Sequence, residues 1–505
     1  MPGIKVAARL DKSREVGEMN KVVRILITGL LLVPLLAACS LPLSNSLQPK
    51  ISDTPSAQLL VQPVDGLIDE PISIRLTNFT PNQSVTIWAS FQDDIGQIWQ
   101  AEASFVTDKY GTVDVSTQVP WSGSYRKADP MGLFWSAVPE ERQEGDVPAP
   151  FSNLWLNPIL VTFEARIHGA VIARTQIERL RVLPEVIRKT VDANEFVGTF
   201  FLPPGNGPFP CVIVVGGATG ELWEEPAALL ASHGFAALSV PYFKMGTLPN
   251  QLVEIPLEYF ENAINWIENQ PLIDKNHIGV MGFARGGELA LLLGTTFPKI
   301  KAVVGYVPSS LVWSAYGVQG SGDQAAWTFR GEPIPFLSTS GTRKLTLKTI
   351  MNKLLSNGDH SALLDSLEQD PEIAQAIIPV EKINGPVLLI SGKDDRVWDS
   401  TLYADLTCFR MQKRQTVYPC EHLSYDGAGH SISFPYIPTT VEGFQSTHPV
   451  SGKLTEIGGN TEDIATANAD AWSHVLDFLD RNLGSSGTIG SSWLNANPHS
   501  LSSGN

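Results

Sequence analysis

The run Gly282-Phe283-Ala284-Arg285-Gly286 lies between a short apolar segment, Ile278-Gly279-Val280-Met281, and the small, apolar stretch from Glu288 to Phe297. This reads as a strand, a sharp turn and a helix. A G-x-S-x-G turn of this kind holds a serine in strained backbone at the top of a parallel sheet, with its hydroxyl free to attack a carbonyl. Here both outer glycines are in place and the residue between them is Ala284. A methyl group cannot attack a carbonyl. The pattern is therefore that of a nucleophile site whose nucleophile has been replaced; the bland alternative is an ordinary strand-to-helix turn.

Partners for such a site follow in the expected chain order, nucleophile, acid, histidine. Pro386-Val387-Leu388-Leu389-Ile390-Ser391-Gly392 is an apolar strand ending in Ser-Gly, and Asp394 and Asp395 come directly after it. That carboxyl end is where parallel sheets gather functional groups. Asp395 is the preferred acid because the small apolar step Val397-Trp398 follows it; Asp394 suits a turn cap. His430, in Asp426-Gly427-Ala428-Gly429-His430, stands in a loop freed by glycines after a short strand. It is the candidate base.

Donors for a developing oxyanion are also legible. The strand Pro210 to Val215 runs into Gly216-Gly217-Ala218-Thr219-Gly220, and a helix then opens near Glu224-Glu225-Pro226, with proline expected at a first helical position. Backbone N–H groups at Gly217 and Ala218, with that of Arg285 after the elbow, would form the hole. A phosphate-binding loop is the rival reading. It lacks the Lys-Ser/Thr pair and the G-x-G-x-x-G spacing.

The elements that position these residues alternate strand and helix from about Val186: Val212 to Val215, Ala236 to Val240, the elbow strand, and Ala302 to Tyr306. That is a doubly wound, mostly parallel α/β pattern. Residues 311–384 interrupt it and are expected to form a cap. Residues 59–184 differ. Short alternating runs such as Ile72 to Leu76 and Val85 to Ala89, separated by turns, suggest an antiparallel sandwich.

With these residues in view the chain resembles the acyl-CoA thioesterase and bile acid-CoA:amino acid N-acyltransferase family from about Leu59 to Leu483. The resemblance is carried by Asp69-Glu70-Pro71, by Asp129-Pro130-Met131-Gly132-Leu133-Phe134-Trp135-Ser136, by Leu229 to Ala236, and by Arg285 to Ala290 with Ala302 to Ser310. It implies an α/β-hydrolase domain preceded by an immunoglobulin-like β-sandwich, with a nucleophile–Asp–His triad acting on thioesters or esters. Carried over, the acid is Asp395, the base is His430, and the nucleophile falls on Ala284. Pro226 stands where relatives more often carry arginine.

Composition narrows the partners. The 505 residues carry a formal charge of −16, which argues against nucleic acid, and 43% are hydrophobic, enough for two cores but not a membrane bundle. No metal-ligand spacing is present and no cofactor is implied; the expected partner is a small-molecule ester or thioester, and nothing specifies an oligomeric state. Lys21 and Arg24 precede the apolar run Ile25 to Leu36, which ends in Leu36-Ala37-Ala38-Cys39. A signal peptide over residues 19–39, starting at Met19, with lipid on Cys39, is expected. The lipid anchor would be the sole membrane contact and would place the protein at a bacterial cell envelope. Residues 40–58 read as a tether and 484–505 as a disordered tail. In an oxidising compartment Cys408 and Cys420 could pair, the alternative being two unrelated thiols, while Cys211 lies on a core strand.

Two functions remain in play. One is a thioester or ester hydrolase impaired by Ala284. The other is a non-catalytic envelope binding protein that keeps the pocket.

Overall fold

Along the first domain, side chains alternate outward and inward, as the pleat of a strand requires. Ser84–Gln92 buries Val85, Ile87, Ala89 and Phe91, and Ile98–Val106 buries Trp99, Ala101, Ala103 and Phe105. The two strands pair antiparallel from Ser84 opposite Val106 to Gln92 opposite Ile98. They belong to a seven-stranded sheet that also holds Asp65–Leu67, Ser122–Gly123, Val138–Pro139, Ile159–Ile167 and Ala170–Leu180. A three-stranded sheet of Gln58–Gln62, Ser73–Thr77 and Val113–Asp114 contributes Leu59, Val61, Ile74 and Leu76 to the same core. The result is the expected β-sandwich. Each large side chain buried here, such as Phe105 or Phe163, stabilises by about 1.5–3 kcal/mol. The computed structural model describes residues 56–141, 156–193, 195–220, 222–315, 323–338, 360–440, 445–447 and 454–484. The expected signal peptide, Cys39, nearly all of the tether and all of the tail after Gly484 lie outside them.

The second domain is built on eight strands: β1 (Ile187–Ala193), β2 (Phe196–Leu202), β3 (Phe209–Val215), β4 (Ala236–Ser239), β5 (Ile273–Phe283), β6 (Ile300–Tyr306), β7 (Val387–Gly392) and β8 (Cys420–Tyr425). Their order is 1-2-4-3-5-6-7-8. The pairs β1–β2 and β2–β4 are antiparallel, and the five pairs from β4–β3 to β7–β8 are parallel. This is an α/β-hydrolase sheet. The near-continuous apolar strands have the physical cause expected of parallel sheets, burial on both faces. Along β3, Val212 and Val214 face one core while Cys211, Ile213 and Val215 face the other. On the first face lie α1 (Glu224–Ser232) and α7 (Thr461–Leu483). On the second lie α2 (Glu258–Glu268), α3 (Arg285–Thr296) and α6 (Ser400–Lys413).

Helix α1 departs from expectation. It begins at Glu224, so Pro226 occupies the third helical position and not the first. Its N-cap, Trp223, makes no side-chain cap hydrogen bond, and the Trp223 ring stands 4.3 Å from that of Phe283, next to the elbow. The interrupting segment also differs. Among its described residues, Trp327–Phe329 pairs with Ile255–Pro256 and with Glu332–Pro333. Its helix α4 (His360–Gln369) packs along α6 through Leu363, Leu364, Leu367, Leu402 and Leu406, and α5 (Pro371–Ala376) joins the cluster through Ile373 and Ala376. Asp370 caps α5, accepting from Glu372 N at 3.0 Å and Ile373 N at 3.2 Å.

The sandwich is fastened to the second domain by buried polar contacts. Asp69 accepts from His233 Nε2 at 2.6 Å and from Trp472 Nε1 at 2.7 Å. Arg181, whose side chain is fully buried, reaches Asp94 at 2.6 Å and Glu225 at 3.7 Å.

Candidate active site

Parallel strands β5, β7 and β8 end on one edge of the sheet, and the three expected site residues leave from those ends. Ala284 follows β5, Asp395 follows β7 and His430 follows β8. The topology thus brings to one edge what the sequence spreads over nearly 150 residues.

Ala284 sits at φ 52°, ψ −113°, just before the first residue of α3. Its N–H donates to Tyr306 O at 2.9 Å, and its carbonyl accepts from Gly287 N at 2.9 Å and Glu288 N at 3.2 Å. An L residue is strained in this region, at a typical cost of ~1–3 kcal/mol. Both flanking glycines are required by contact. A Cβ on Gly282 would collide with the Gly286 carbonyl, and one on Gly286 with the Gly216 carbonyl. The elbow therefore has the backbone of a nucleophile site and carries only a methyl group.

The loop expected to supply oxyanion donors lies against that methyl. A Cβ built on Gly217 would stand 3.5 Å from Cβ of Ala284. Tyr242 holds the loop from the other side, its hydroxyl bridging the carbonyls of Gly216 at 2.8 Å and Gly217 at 2.9 Å. Ala218 follows in the same loop, which closes with Gly220 N donating to Gly217 O at 3.3 Å. Gly220 has φ 73° and packs against the Phe243 ring, where a side chain has no room.

Arg285 contributes to this geometry through its backbone, because the N–H of a first helical residue has no partner within the helix. Its side chain turns away. Arg285 Nη1 donates to Glu288 Oε2 at 2.8 Å, and Nη2 to the carbonyls of Trp313 at 3.1 Å and Ser314 at 3.3 Å. Glu288 also accepts from Trp327 Nε1 at 2.9 Å. Burial pushes the Glu288 carboxyl up to about 7, against the opposing pull of Arg285 and Trp327. This buried group ties the interrupting segment to the first turns of α3.

On the loop after β8, His430 Nδ1 meets Asp395 Oδ2 at 2.8 Å. The Asp395 side chain is 1% exposed and its other oxygen accepts from Val397 N at 2.9 Å and Trp398 N at 3.2 Å. A carboxylate so held fixes the imidazole's tautomer, with Nδ1–H donated and Nε2 left for proton transfer. The Trp398 ring meets the His430 ring edge-on at 5.2 Å and is anchored by Nε1 donating to Val307 O at 3.0 Å. The backbone of His430 donates to Ile457 O at 2.9 Å. Asp394 points elsewhere. It does not cap its own turn but accepts from Gly459 N at 2.9 Å and pairs with Arg396 at 3.2 Å.

Sequence reasoning passed over Tyr242, the Ile457–Gly459 segment and Glu288. Their roles arise from contacts between distant segments, and no local motif marks them. Cys408, within α6, and Cys420, which opens β8, are joined, with Cα atoms 5.1 Å apart. Cys211 is buried on β3, and burial pushes its thiol up. Among the described residues no group of histidines, cysteines and carboxylates could hold a metal ion.

Residues 69–193 match the family model described as the acyl-CoA thioester hydrolase/BAAT N-terminal region, and residues 255–485 match its C-terminal counterpart. The chain is 30% identical over 441 residues to the peroxisomal succinyl-coenzyme A thioesterase of Mus musculus, covering 85% of this chain and 98% of that protein. It is 31% identical over 443 residues to human acyl-coenzyme A thioesterase 1, covering 86% and 99%. It is also 31% identical over 446 residues to acyl-coenzyme A amino acid N-acyltransferase 1 of Mus musculus, covering 85% and 99%. Among solved structures, an esterase of Pyrobaculum calidifontis is 14% identical with a TM-score of 0.36, covering 59% of this chain and 86% of that one. With thioesterases and N-acyltransferases alike aligned along almost their entire lengths, the chain belongs to the acyl-CoA thioester hydrolase/BAAT family.

Proposed function

We propose that this family member is a thioester- or ester-directed hydrolase that has kept its base, acid and oxyanion loop while losing its covalent nucleophile. The observation that carries the reading is the Asp395–His430 pair, formed at 2.8 Å on the same sheet edge as an elbow occupied by Ala284. In a complete triad the base takes the nucleophile's proton as the hydroxyl attacks. With a methyl there, His430 Nε2 takes a proton from water as the water oxygen attacks the acyl carbonyl, and backbone N–H groups of the Gly217 loop and Arg285 receive the oxyanion. Collapse breaks the bond to the thiolate or alkoxide, which leaves with the proton returned by His430. Loss of a triad nucleophile costs about 10⁶ in kcat, and roughly 10³–10⁴ over the uncatalysed reaction survives from the oxyanion hole and binding. Turnover is thus impaired. The thioesterase and acyltransferase relatives bear coenzyme A thioesters in their names, and these supply the substrate class to try first. Assay of the natural chain beside Ala284→Ser, with thioesters and simple esters, tests the reading.

A second reading, a binding protein that retains the pocket, is favoured by Ala284 itself. Ligand binding to the natural chain, with no turnover from either form, would support it over the first. We propose in addition that the chain is exported and lipidated at Cys39, because Lys21, Arg24 and the apolar run end in Leu-Ala-Ala-Cys. Stable anchoring needs more than one acyl chain. Metabolic labelling with palmitate is expected to mark the protein and to fail with Cys39→Ser; an unlabelled protein retaining residues 19–38 refutes it.

A further inference from the structure

A second serine–histidine–aspartate chain lies behind the site. Ser391 Oγ meets His422 Nε2 at 2.7 Å, and His422 Nδ1 meets Asp405 Oδ1 at 2.9 Å. These contacts have the connectivity of a nucleophile, base and acid. The surroundings assign it a different task. Ser391 is 0% exposed, so no acyl group reaches it. Its oxygen also lies 2.9 Å from Thr401 Oγ1.

The position of that last contact matters. Ser391 is near the end of β7 and Thr401 is in the first turn of α6, while Asp395 lies on the loop between them. The Ser391–Thr401 bond closes the base of the loop carrying the acid. His422, on β8, then holds Ser391 from the neighbouring strand. With its Nδ1–H donated to the Asp405 carboxylate, its Nε2 accepts the Ser391 hydroxyl proton, and Ser391 accepts from Thr401. Asp405 belongs to α6, and the Cys408–Cys420 bond ties the same helix to the same strand. Other charged groups facing Asp405 are His360, at 3.7 Å, and Lys393. Beyond the loop base, the acid and base loops are zipped together by Lys393 N donating to Tyr425 O at 3.0 Å and Asp394 N to Ala428 O at 2.9 Å.

We infer that His422 is a positioning residue: the Asp405–His422–Ser391–Thr401 chain braces the loop 392–400 and so holds Asp395 against His430. The inference rests on the proposed reading of that pair as the acid and base. Because displacement of about 1 Å at a reacting group can cost on the order of 10²-fold in rate, a loosened acid should be seen in kcat and not in substrate binding.

The test uses the full chain in two forms. In the Ala284→Ser form, His422→Leu is expected to lower kcat by about 10-fold or more with KM little changed, and His422→Gln, which can still donate and accept, to restore most of it. In the natural chain, the low-field Nδ1–H proton of the His430–Asp395 hydrogen bond is followed by NMR. His422→Leu should shift it upfield or remove it, and His422→Gln should preserve it. If His422→Leu does not fold, Thr401→Val removes the same loop closure at nearly constant size and gives the same two readouts. An unchanged proton signal in folded His422→Leu or Thr401→Val overturns the brace. An inactive Ala284→Ser protein would count against the hydrolase reading alone, because the NMR arm still decides the brace.

Discussion

The elbow can be tested through stability alone. Ala284 is held at φ 52°, ψ −113°, where an L residue costs ~1–3 kcal/mol. An enzyme tolerates that strain because it exposes a hydroxyl; here the residue returns nothing chemical. Ala284→Gly relieves the strain. It also loosens the unfolded chain, which costs about 0.4–1 kcal/mol, and exposes part of a half-buried methyl, worth up to ~0.8 kcal/mol. At the middle of each range the net expectation is stabilisation of about 1 kcal/mol. Gly286→Ala should go the other way. Its Cβ would collide with the carbonyls of Gly216 and Val215, which are backbone and cannot swing aside. Overpacking of this kind costs about 1–3 kcal/mol, and more when backbone must move. Urea unfolding of the full chain gives both values if the slope with denaturant stays constant and only the midpoint moves. Destabilisation of Ala284→Gly by more than about 1 kcal/mol, or a neutral Gly286→Ala, would refute the strained-elbow reasoning.

Two further outcomes are expected. At the domain junction, burial opposes both charges, but His233 and Trp472 hold the Asp69 carboxyl below its ordinary value, and Asp69 and Glu70 hold His233 above its own. The Asp69 contribution is present above its unfolded value of about 4 and is lost as pH falls through the lower folded one; that of His233 is present below about 6.5 and is lost as pH rises through the higher folded one. Stability should therefore be greatest between about pH 4 and 6.5, and Asp69→Asn should flatten the alkaline decline in denaturation measured across pH. Within α3, Glu288→Ala strands Arg285 as a buried, unpaired charge, so thermal or urea unfolding should show a loss of about 3–5 kcal/mol, against a smaller loss for Glu288→Gln.

What the sequence made legible was local. Gly282, Gly286, the strand ending at Gly392 and the glycines before His430 each mark a turn by residue type, and the order of the turns suggested the site. Asp395 contacts His430, whereas Asp394 contacts Gly459 and Arg396. Contacts made across the sheet were out of reach. Tyr242 lies some 25 residues from the carbonyls it bridges, and Ile457 binds the His430 backbone from a separate segment. The link from His422 to Ser391 depends on the register of β8 against β7, which no local motif marks. Strand Trp327–Phe329 is three residues long and pairs both with Ile255–Pro256, far back in the chain, and with Glu332–Pro333 beside it, too short a pattern to read from residue types. Helix α1 opens at Glu224, as its acidic residues suggest, with Pro226 two residues further in than a first-position proline.

The central claim is that everything but the nucleophile is in place. The most direct test is kcat of purified full-length Ala284→Ser against the natural chain on one thioester and one activated ester, with fluorophosphonate labelling of both. A rise of at least ~10³ in kcat, accompanied by labelling at residue 284 only in the serine form, is the expected result. A folded Ala284→Ser protein with no gain, or a natural chain that is already labelled at another serine and turns over rapidly, would contradict it.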